Sequence, residues 1–523
     1  VIIASGADAE AVLPPLVYTT VGKMITDLLY EPLADINDSL NAIGDRGFTP
    51  RLAKSWSWAA DSQSIAFHID PAAKWQDGRP VRAQDVKFSH ELFVDPVVHS
   101  ISASNLSNVD SITTPDSSTA VVWFNRRLPE QFFDFVYNLR VLPEHRLGSV
   151  PRDKLGESSE ASQPVGSGPF RFVRWERSSL LELEADTANW RQRPLLDRII
   201  LSVSPDPTAA TTQVLAGNAD FIEVLRGDAI QSIQNNPNAV AVNFPGYDYG
   251  AVCWNLRDPT NEQRPHPILG DRNLRRALAM GVDRATVVKS VLDTLGVVSQ
   301  GPYVRAQAFV DPTLVAYSYD QAAAKAILDS LGWKINPRDS IRARNGQRLS
   351  LTLLVPTSSS TRLQTSVILQ DQFKQIGAEL KIEKLESTAL GERVFGTRKW
   401  DAAFIGWHPD PGSSAVAQNW SSSTAIPGGP NITRYVSREF DAHLDSARTT
   451  YDPAAARVHF RQAFTVLNND APAIWIYELR SAAGINKRIR PAPLRPDAWW
   501  AHLDRWSIAE GQRIARDNIG LGK

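Results

Sequence analysis

The feature that most restricts the fold is a regular alternation of strand-like and helix-like segments after residue 200. The strand-like segments are short apolar runs, and one helix-like segment begins at Asp206 and ends at Gly217. Strands and helices that alternate in this way are typical of α/β domains, so we predict an α/β fold. The strand-like segments lie at 219–225, 349–355, 379–385, 402–405 and 474–477, and helices begin near 206, 271, 320 and 452.

Before residue 200 the chain has a different character. Short strand-like runs at 64–69 and 119–124 are bounded by Asp, Ser or Pro, which indicates that the block from 47 to 160 is richer in β-structure. A polar stretch at 149–165, rich in Pro and Ser, indicates a loop or a domain boundary. At 523 residues the chain exceeds what one hydrophobic core can hold. We therefore expect two or three domains.

Composition excludes several classes of function. The net charge is −1, and no extended basic patch accompanies it, so we expect no nucleic acid partner. Cys253 is the only cysteine, which rules out an intramolecular disulfide and a cysteine-based metal site. No run of 18 apolar residues is present that could span a membrane. Because the chain begins at Val1 rather than Met, we expect that a targeting segment has been removed.

One stretch combines a strand with residues suited to a binding site. The apolar run Ala402–Ile405 is long enough to cross a sheet, and Gly406, Trp407 and His408 follow it. Prolines then flank Asp410 and prevent any regular element from continuing. Ligands of α/β sheets bind outside the carboxyl ends of strands. The pattern predicts an aromatic face and a carboxylate at such a crevice, although a surface turn with a helix-capping aspartate would have the same sequence.

No local motif for catalysis or metal binding is found. The nine histidines form no HxH, HExxH or HxxxH pair, and there is no GxSxG elbow. We therefore predict no catalytic residues, no metal ligands and no cofactor, and we favour a binding protein over an enzyme. The alternative from another class is a hydrolase whose two carboxylates are brought together only by the fold.

Several short motifs, in this order and spacing, resemble the family 5 extracytoplasmic solute-binding proteins of ABC importers, the peptide- and nickel-binding group. The resemblance extends from about residue 30 to residue 475, which is nearly the whole chain. The motifs are YEPL at 30–33, PRLAKSW at 50–56, KWQDGRPV at 74–81, AQDVKFS at 83–89, VGSGPF at 165–170, NW at 189–190, GNAD at 217–220, DRNLRRAL at 271–278, VDR at 282–284, the segment 320–333, FD at 440–441 and APAI at 471–474.

The resemblance implies a periplasmic-binding-protein-like architecture. It consists of two α/β lobes joined by a hinge, with an additional domain and a ligand cleft between lobes that close on the ligand. The implied boundaries are lobe I at 1–46 and 166–258, the additional domain at 47–165, lobe II at 259–480, and a return to lobe I at 481–523. The implied location is periplasmic or extracytoplasmic, with or without a lipid anchor.

The resemblance also assigns roles to site residues. In peptide-binding members, an aspartate after a Gly-Trp pair holds the amino terminus of the peptide, and Asp410 has that spacing here. Trp407 then becomes a wall of the site. The role is chemically reasonable, because a buried ammonium group requires a carboxylate partner. His408 and Pro411 depart from the typical peptide-binding pattern.

Further candidate ligand-binding residues are aromatic or polar. Tyr247, Tyr249 and Trp254 lie near the implied hinge, and Thr20 is included as a candidate from the first lobe. We expect the ligand to be a short peptide or a similar amine-bearing solute, and the protein to be a monomer that delivers it to an ABC permease. An opine, an oligosaccharide or a nickel chelate, for which His408 could serve as a ligand, remain alternatives.

Overall fold

The structure is a computed structural model and describes residues 1–518. The last five residues of the predicted 481–523 segment therefore lie outside the described part of the chain. Up to residue 244 the elements are β1 (Ile2–Ser5), α1 (Thr20–Leu29), β2 (Ala34–Ile36), β3 (Phe48–Pro50), β4 (Ala53–Trp58), β5 (Ser64–Ile69), α2 (Ala83–Val94), β6 (Val109–Thr113), β7 (Thr119–Phe124), α3 (Gln131–Asn138), α4 (Glu144–Leu147), β8 (Phe170–Glu176), β9 (Leu180–Ala185), β10 (Arg198–Val203), α5 (Pro207–Leu215), β11 (Phe221–Ile222) and α6 (Gly227–Asn235).

The remaining elements continue the alternation. They are β12 (Ala239–Trp254), β13 (Arg257–Asp258), β14 (Asn261–Pro265), α7 (Arg272–Met280), α8 (Arg284–Val291), β15 (Gly296–Val298), α9 (Gln321–Ser330), β16 (Lys334–Ile335), β17 (Arg342–Arg344), β18 (Gln347–Arg348), β19 (Ser350–Pro356), α10 (Ser360–Gln375), β20 (Glu379–Leu385), α11 (Ser387–Gly391), β21 (Ala402–Trp407), α12 (Ser414–Trp420), α13 (Arg438–Thr449), α14 (Pro453–Asp470), β22 (Ala473–Asn486), β23 (Ile489–Arg490) and β24 (Ser507–Ile508). The mixture of strands and helices confirms the predicted α/β class.

The chain divides into two compact units. Unit 1 comprises Val1–Phe244 and the described part of Ser481–Lys523, and unit 2 comprises Pro245–Arg480. The chain passes from one unit to the other within β12 and returns within β22. The finer division of unit 1 into a lobe and an additional domain at 47–165 stays a prediction.

Unit 1 contains a mixed sheet. Strand β1 lies between β10 and β11 and is parallel to both, while β9 and β8 continue the sheet as antiparallel strands. The end of β22 pairs with β11. Strands β4, β5, β7 and β6 form a separate antiparallel sheet within the β-rich block. Because β1, β10 and β11 are parallel, their carboxyl ends meet at one edge of the sheet, where ligands of α/β proteins bind.

A buried carboxylate connects the last segment of the chain to the sheet of unit 1. The Asp220 side chain is fully buried and accepts hydrogen bonds from the backbone N–H of Ile2 at 2.9 Å and from Arg516 at 2.6 Å. Arg488 donates to both oxygens of Asp220 at 2.9 Å and also pairs with Asp517. Asp220 therefore holds β1 and the C-terminal segment together from its position just before β11.

The polar stretch at 149–165 is more ordered than its composition indicates. It contains 3₁₀ helices at Arg152–Glu157 and Ser159–Ala161. The reason is Glu160, whose buried carboxylate accepts hydrogen bonds from Arg146 at 2.6 Å and from the backbone N–H of Val165 at 2.8 Å. The Glu160 carboxylate therefore anchors this segment.

Unit 2 also contains both parallel and antiparallel strand pairs. Strand β19 is parallel to β20 on one side and to β21 on the other, and β12 pairs antiparallel with β21. Helix α10 connects β19 to β20 and contributes Phe373 to a core that also contains Val252, Trp254 and Phe404. The carboxyl ends of β19 and β21 thus lie at one edge, and Trp407 is the last residue of β21.

Candidate functional site

The strand that leads to the site is fixed at its start by buried polar groups. Asp401, which precedes β21, accepts a hydrogen bond from the backbone N–H of Thr352 at 2.9 Å and contacts Nε2 of His266 at 3.1 Å. The side-chain amide of Asn255 donates to the backbone carbonyls of Arg398 and Trp400 at 3.1 and 3.0 Å. These bonds set the register of β21, and hence the position at which it delivers Trp407 and Asp410.

An aromatic stack forms where β21 pairs with β12. Tyr249 lies directly opposite Trp407, and their rings stack with centroids 5.1 Å apart and an interplanar angle of 16°. Trp420 of α12 lies 6.3 Å from Trp407, and Trp475 of β22 lies 5.0 Å from Trp420. Burial raises the pKa of Tyr249 well above its ordinary value, so its phenol stays protonated. Trp407 is half-buried and forms the outer layer of this stack.

The loop that carries Asp410 is held by a glutamine. Gln307 is buried, and its Nε2 donates to the backbone carbonyl of Asp410 at 2.7 Å and to that of Gly412 at 3.4 Å. Its Oε1 accepts from the backbone N–H of Val304 at 3.2 Å. These hydrogen bonds from Gln307 fix the backbone of Asp410. The side chain of Asp410 is half-buried and lies in the loop between β21 and α12. Sequence reasoning did not identify Gln307.

Two further predicted residues lie beside this loop. Nδ1 of His408 lies 3.3 Å from Oδ1 of Asp248, and both side chains are nearly half exposed. The ring of Tyr247 lies 6.0 Å from that of His408, and Tyr247 is buried. His408 is therefore placed next to a carboxylate at the surface of unit 2.

A pair of glycines makes room for a charged group that the sequence pattern did not reveal. Gly250 and Gly406 face each other across β12 and β21. A methyl group at Gly406 would lie 2.2 Å from Nη2 of Arg362, and one at Gly250 would lie 2.4 Å from Cζ of Tyr477. Because these distances are below any real contact, both positions require glycine unless the neighbours move. The sequence signal that could have identified Arg362 as a site residue is its position. It follows β19 by six residues and is therefore near the carboxyl end of a parallel strand.

Arg362 is an unusual cation within the described residues. Its Nε is buried without a hydrogen-bond acceptor, and it forms no ion pair within 4.0 Å in residues 1–518. Burial raises the pKa of Tyr477, while the charge of Arg362 and its hydrogen bond to the phenol act in the opposite direction. Because buried charges are normally paired, a guanidinium without an acidic partner is a candidate for binding an anionic group of a ligand.

The predicted site residues are not all brought together. Tyr247, Tyr249, Trp407, His408 and Asp410 belong to one region of unit 2. Trp254, at the end of β12, is fully buried and lies 6.4 Å from Phe373 in the core, so we leave it out of the site. Thr20 belongs to unit 1, where it is exposed at the first residue of α1.

Across residues 1–518, no group of three or more His, Cys, Asp or Glu side chains is arranged to hold a metal ion. In the same part of the chain, none of the helices combines the length and the apolar character that crossing a bilayer requires.

We expect that replacing Gln307 with leucine will loosen the Asp410 loop. The substitution keeps the volume but leaves two buried or partly buried carbonyls without a donor, which should lower the free energy of unfolding by ~1–3 kcal/mol. Urea denaturation measures this loss. As a control, Gln321→Leu removes a side chain whose hydrogen bond to Gln375 is exposed, and it should change stability by less than ~0.5 kcal/mol. Equal effects of both variants would contradict the role of Gln307.

An aromatic wall and charged groups at the carboxyl ends of strands suit the binding of a solute. The family model for bacterial extracellular solute-binding proteins, family 5 Middle, matches residues 47–428. The chain therefore belongs to family 5 of the bacterial extracellular solute-binding proteins.

Relatives and solved structures agree with this assignment. The oligopeptide-binding protein AppA of Bacillus subtilis is 25% identical over 519 residues, which cover 97% of this chain and 91% of AppA. The structure of AppA in complex with a nonapeptide superposes with a TM-score of 0.80 at 23% identity, covering 97% of this chain and 98% of that chain. NikZ of Campylobacter jejuni, in complex with Ni(L-His), gives a TM-score of 0.80 at 23% identity, covering 97% and 99%. The periplasmic-binding-protein-like fold is thereby confirmed.

Proposed function

We propose that this protein is the substrate-binding component of an ABC importer, that it captures short peptides or a similar amine-bearing solute by hinge closure, and that it delivers them to a membrane permease. The names of its relatives support a peptide ligand, since AppA is an oligopeptide-binding protein. We propose further that it acts outside the cytoplasm as a monomer without catalytic turnover, free or held by a lipid anchor.

The observation that carries the peptide proposal is that groups suited to both ends of a zwitterion accompany the last residues of β21 and the loop that follows it. Arg362 contacts the position of Gly406 and has no acidic partner in the described chain, while Asp410 follows four residues later. Four residues span at most ~14 Å when extended, so the two Cα atoms of 406 and 410 lie within that distance. A guanidinium beside Gly406 and a carboxylate on residue 410 suit the carboxylate and the ammonium of a short peptide.

The half-buried Trp407 ring supports the same ligand class. An extended peptide presents its backbone and its side chains to neighbouring surfaces, and a rigid aromatic wall contributes contact area at little cost in conformational entropy. Because Tyr249 is fixed behind Trp407 by stacking, the wall needs no rearrangement on binding.

A nickel chelate is the second candidate, and one observation favours it. His408 is partly exposed next to Asp248, and the structure of NikZ contains nickel bound to L-histidine. A single imidazole could complete the coordination of a metal whose other ligands come from the chelator. In that case the protein would supply one ligand rather than a complete metal site.

Thermal unfolding in the presence of candidate solutes tests the proposal. A ligand that binds only the folded protein stabilises it by ~2.7 kcal/mol at a concentration of 100 times Kd. We expect short peptides with free termini to raise Tm, and the same peptides to be recovered uncleaved. A rise in Tm with nickel–histidine but not with peptides would favour the nickel chelate as the ligand. Recovery of cleaved peptide would contradict the proposal of a receptor without catalytic turnover.

A further inference from the structure

Unit 1 contains a cavity that none of the interactions described above uses. Its volume is about 310 Å³, and all of its lining residues belong to unit 1. The apolar side chains in its lining include Ile3, Val21, Met24, Leu201, Ile222 and Trp499. An apolar cavity of ~150 Å³ is sufficient to bind benzene. The cavity in unit 1 is therefore large enough for an aromatic ring or a branched aliphatic group with its linkage.

The cavity lies at the edge of the sheet where a ligand is expected. It is lined by the last residues of β1 and β11, by Leu201 of β10, and by the first turns of α1 and α5. The three strands are parallel, so their carboxyl ends converge there. Thr20, the one candidate that the sequence placed in unit 1, is part of this lining.

Polar atoms in the lining are directed toward the protein. The hydroxyl of Ser5 donates to the backbone carbonyl of Ala7 at 2.7 Å, and Nε1 of Trp500 donates to Asp27 at 2.9 Å. The hydroxyl of Ser204 accepts from Gln213 at 3.5 Å. Glu223 and Arg226 also belong to the lining and contribute one charge of each sign. The surface that the cavity offers to a ligand is therefore mainly carbon.

The helix terminus beside the cavity is already occupied by a carboxylate of the chain. Glu10 accepts hydrogen bonds from the backbone N–H groups of Tyr18 and Thr19 and from the Thr19 hydroxyl, immediately before α1. A helix N-terminus would otherwise attract an anionic group. With Glu10 in place, an acidic ligand group near α1 would meet a like charge instead.

Large apolar side chains are exposed around the same region. Val224, which lines the cavity, is 61% exposed, and Tyr18, two residues before Thr20, is 68% exposed. Val224 therefore extends the apolar surface of the cavity toward solvent.

We propose that this cavity is a subsite that selects a bulky, apolar and uncharged group of the transported solute, such as an aromatic or branched aliphatic side chain. The proposal deepens the proposed function and rests on it for the identity of the solute as a peptide. The lining provides the hydrophobic contact, and a charged group would lose its hydration there.

The cavity can be tested by itself with two small probes that share one ring. We expect 4-fluorotoluene to bind the full-length protein and 4-fluorobenzoate to bind at least ten times more weakly, as followed by ¹⁹F NMR line broadening. Val224→Asp places a carboxylate at the edge and should weaken 4-fluorotoluene at least fivefold. Val97→Asp makes the same change at a residue of unit 1 that is 53% exposed and does not line the cavity, so it should have no effect. Equal binding of both probes, or an unchanged affinity in Val224→Asp, would overturn the subsite.

A peptide series separates the subsite from the proposed function. Tripeptides of alanine with phenylalanine or glutamate placed at each position in turn are compared by calorimetry. We expect one phenylalanine position to bind at least ten times more tightly than its glutamate counterpart, and Val224→Asp to reduce that difference. Binding of 4-fluorotoluene without binding of any tripeptide would refute the peptide function and leave the subsite. Tripeptide binding without any preference would refute the subsite and leave the function.

Discussion

Replacing Asp410 with alanine is expected to weaken an amine-bearing ligand by ~2–5 kcal/mol, which is the usual cost of removing one partner from a buried charge pair. That range corresponds to a loss of roughly 30-fold to several thousand-fold in affinity. The reason is that the ligand's ammonium group would leave water without a carboxylate to receive it. Calorimetry with the peptide that gives the largest rise in Tm measures the change.

The acetylated form of the same peptide provides the sharpest comparison. Acetylation removes the ammonium charge, so Asp410→Ala should have little effect on the binding of the acetylated peptide. Asp445→Asn is a matched control, because Asp445 is an exposed aspartate of α13 in the same unit. An unchanged affinity in Asp410→Ala, or the same loss for free and acetylated peptides, would show that Asp410 does not hold the amino terminus.

The elements predicted best from the sequence are those with strong signals at both ends. Strands β5, β7 and β20 have the predicted bounds of Ser64–Ile69, Thr119–Phe124 and Glu379–Leu385. Helix α5 begins after Asp206, whose side chain accepts a hydrogen bond from the backbone N–H of Ala209. Turn residues and capping bonds are local interactions, so they can be read from the sequence.

Of the two strands that connect the units, β12 was not predicted from the sequence and β22 was predicted only in part. Strand β12 runs from Ala239 to Trp254 through Pro245 and Gly246, a pair that is typical of a turn. Strand β22 continues to Asn486, although the apolar run predicted only 474–477. Both strands are stabilised by pairing with distant segments, such as β21 and β11. Long-range pairing overrides local preference, which the sequence alone does not reveal.

The candidate site shows the same distinction. Trp407, His408 and Asp410 follow one strand and could be found from a single stretch. Arg362 precedes Gly406 by 44 residues and Gln307 precedes Asp410 by 103 residues, and only the fold brings these pairs together. The traces of Arg362 in the sequence are its position six residues after β19 and the glycine at 406 that leaves room for it.

The motifs that carried the family resemblance have structural roles. Arg275 of the 271–278 motif is buried and donates to the carbonyls of Leu269 and Asp470. Arg284 of the 282–284 motif is buried and donates to the carbonyls of Ser299 and Trp475. Because these residues hold the fold rather than a ligand, the resemblance identifies the architecture more sharply than it identifies the solute.

Asp220, in the motif at 217–220, provides the strongest test of such a structural role. Asp220→Ala removes the partner of Arg488 and leaves a buried guanidinium incompletely compensated, which should destabilise unit 1 by ~3–5 kcal/mol. Every ~1.4 kcal/mol changes the equilibrium constant for opening by a factor of ten. Amide exchange that requires the opening of unit 1 should therefore become at least 100-fold faster. Hydrogen–deuterium exchange with mass spectrometry measures this in peptides that contain β1 and the 486–490 segment, and unit 2 serves as an internal reference.

The control is an aspartate in the same unit whose ion pairs are exposed. Asp197 pairs with Arg193 and Arg513, whose side chains are 58% and 47% exposed. Solvent screens such pairs, and Asp197→Ala should cost no more than ~1 kcal/mol. Both variants remove a carboxylate that binds the segment after residue 480. A larger acceleration of exchange in Asp220→Ala than in Asp197→Ala would therefore show that burial of the carboxylate determines the loss of stability. If Asp220→Ala and Asp197→Ala accelerated exchange equally, or if exchange in unit 2 rose as much as in unit 1, Asp220 would not be the group that fixes the returning segment to the sheet.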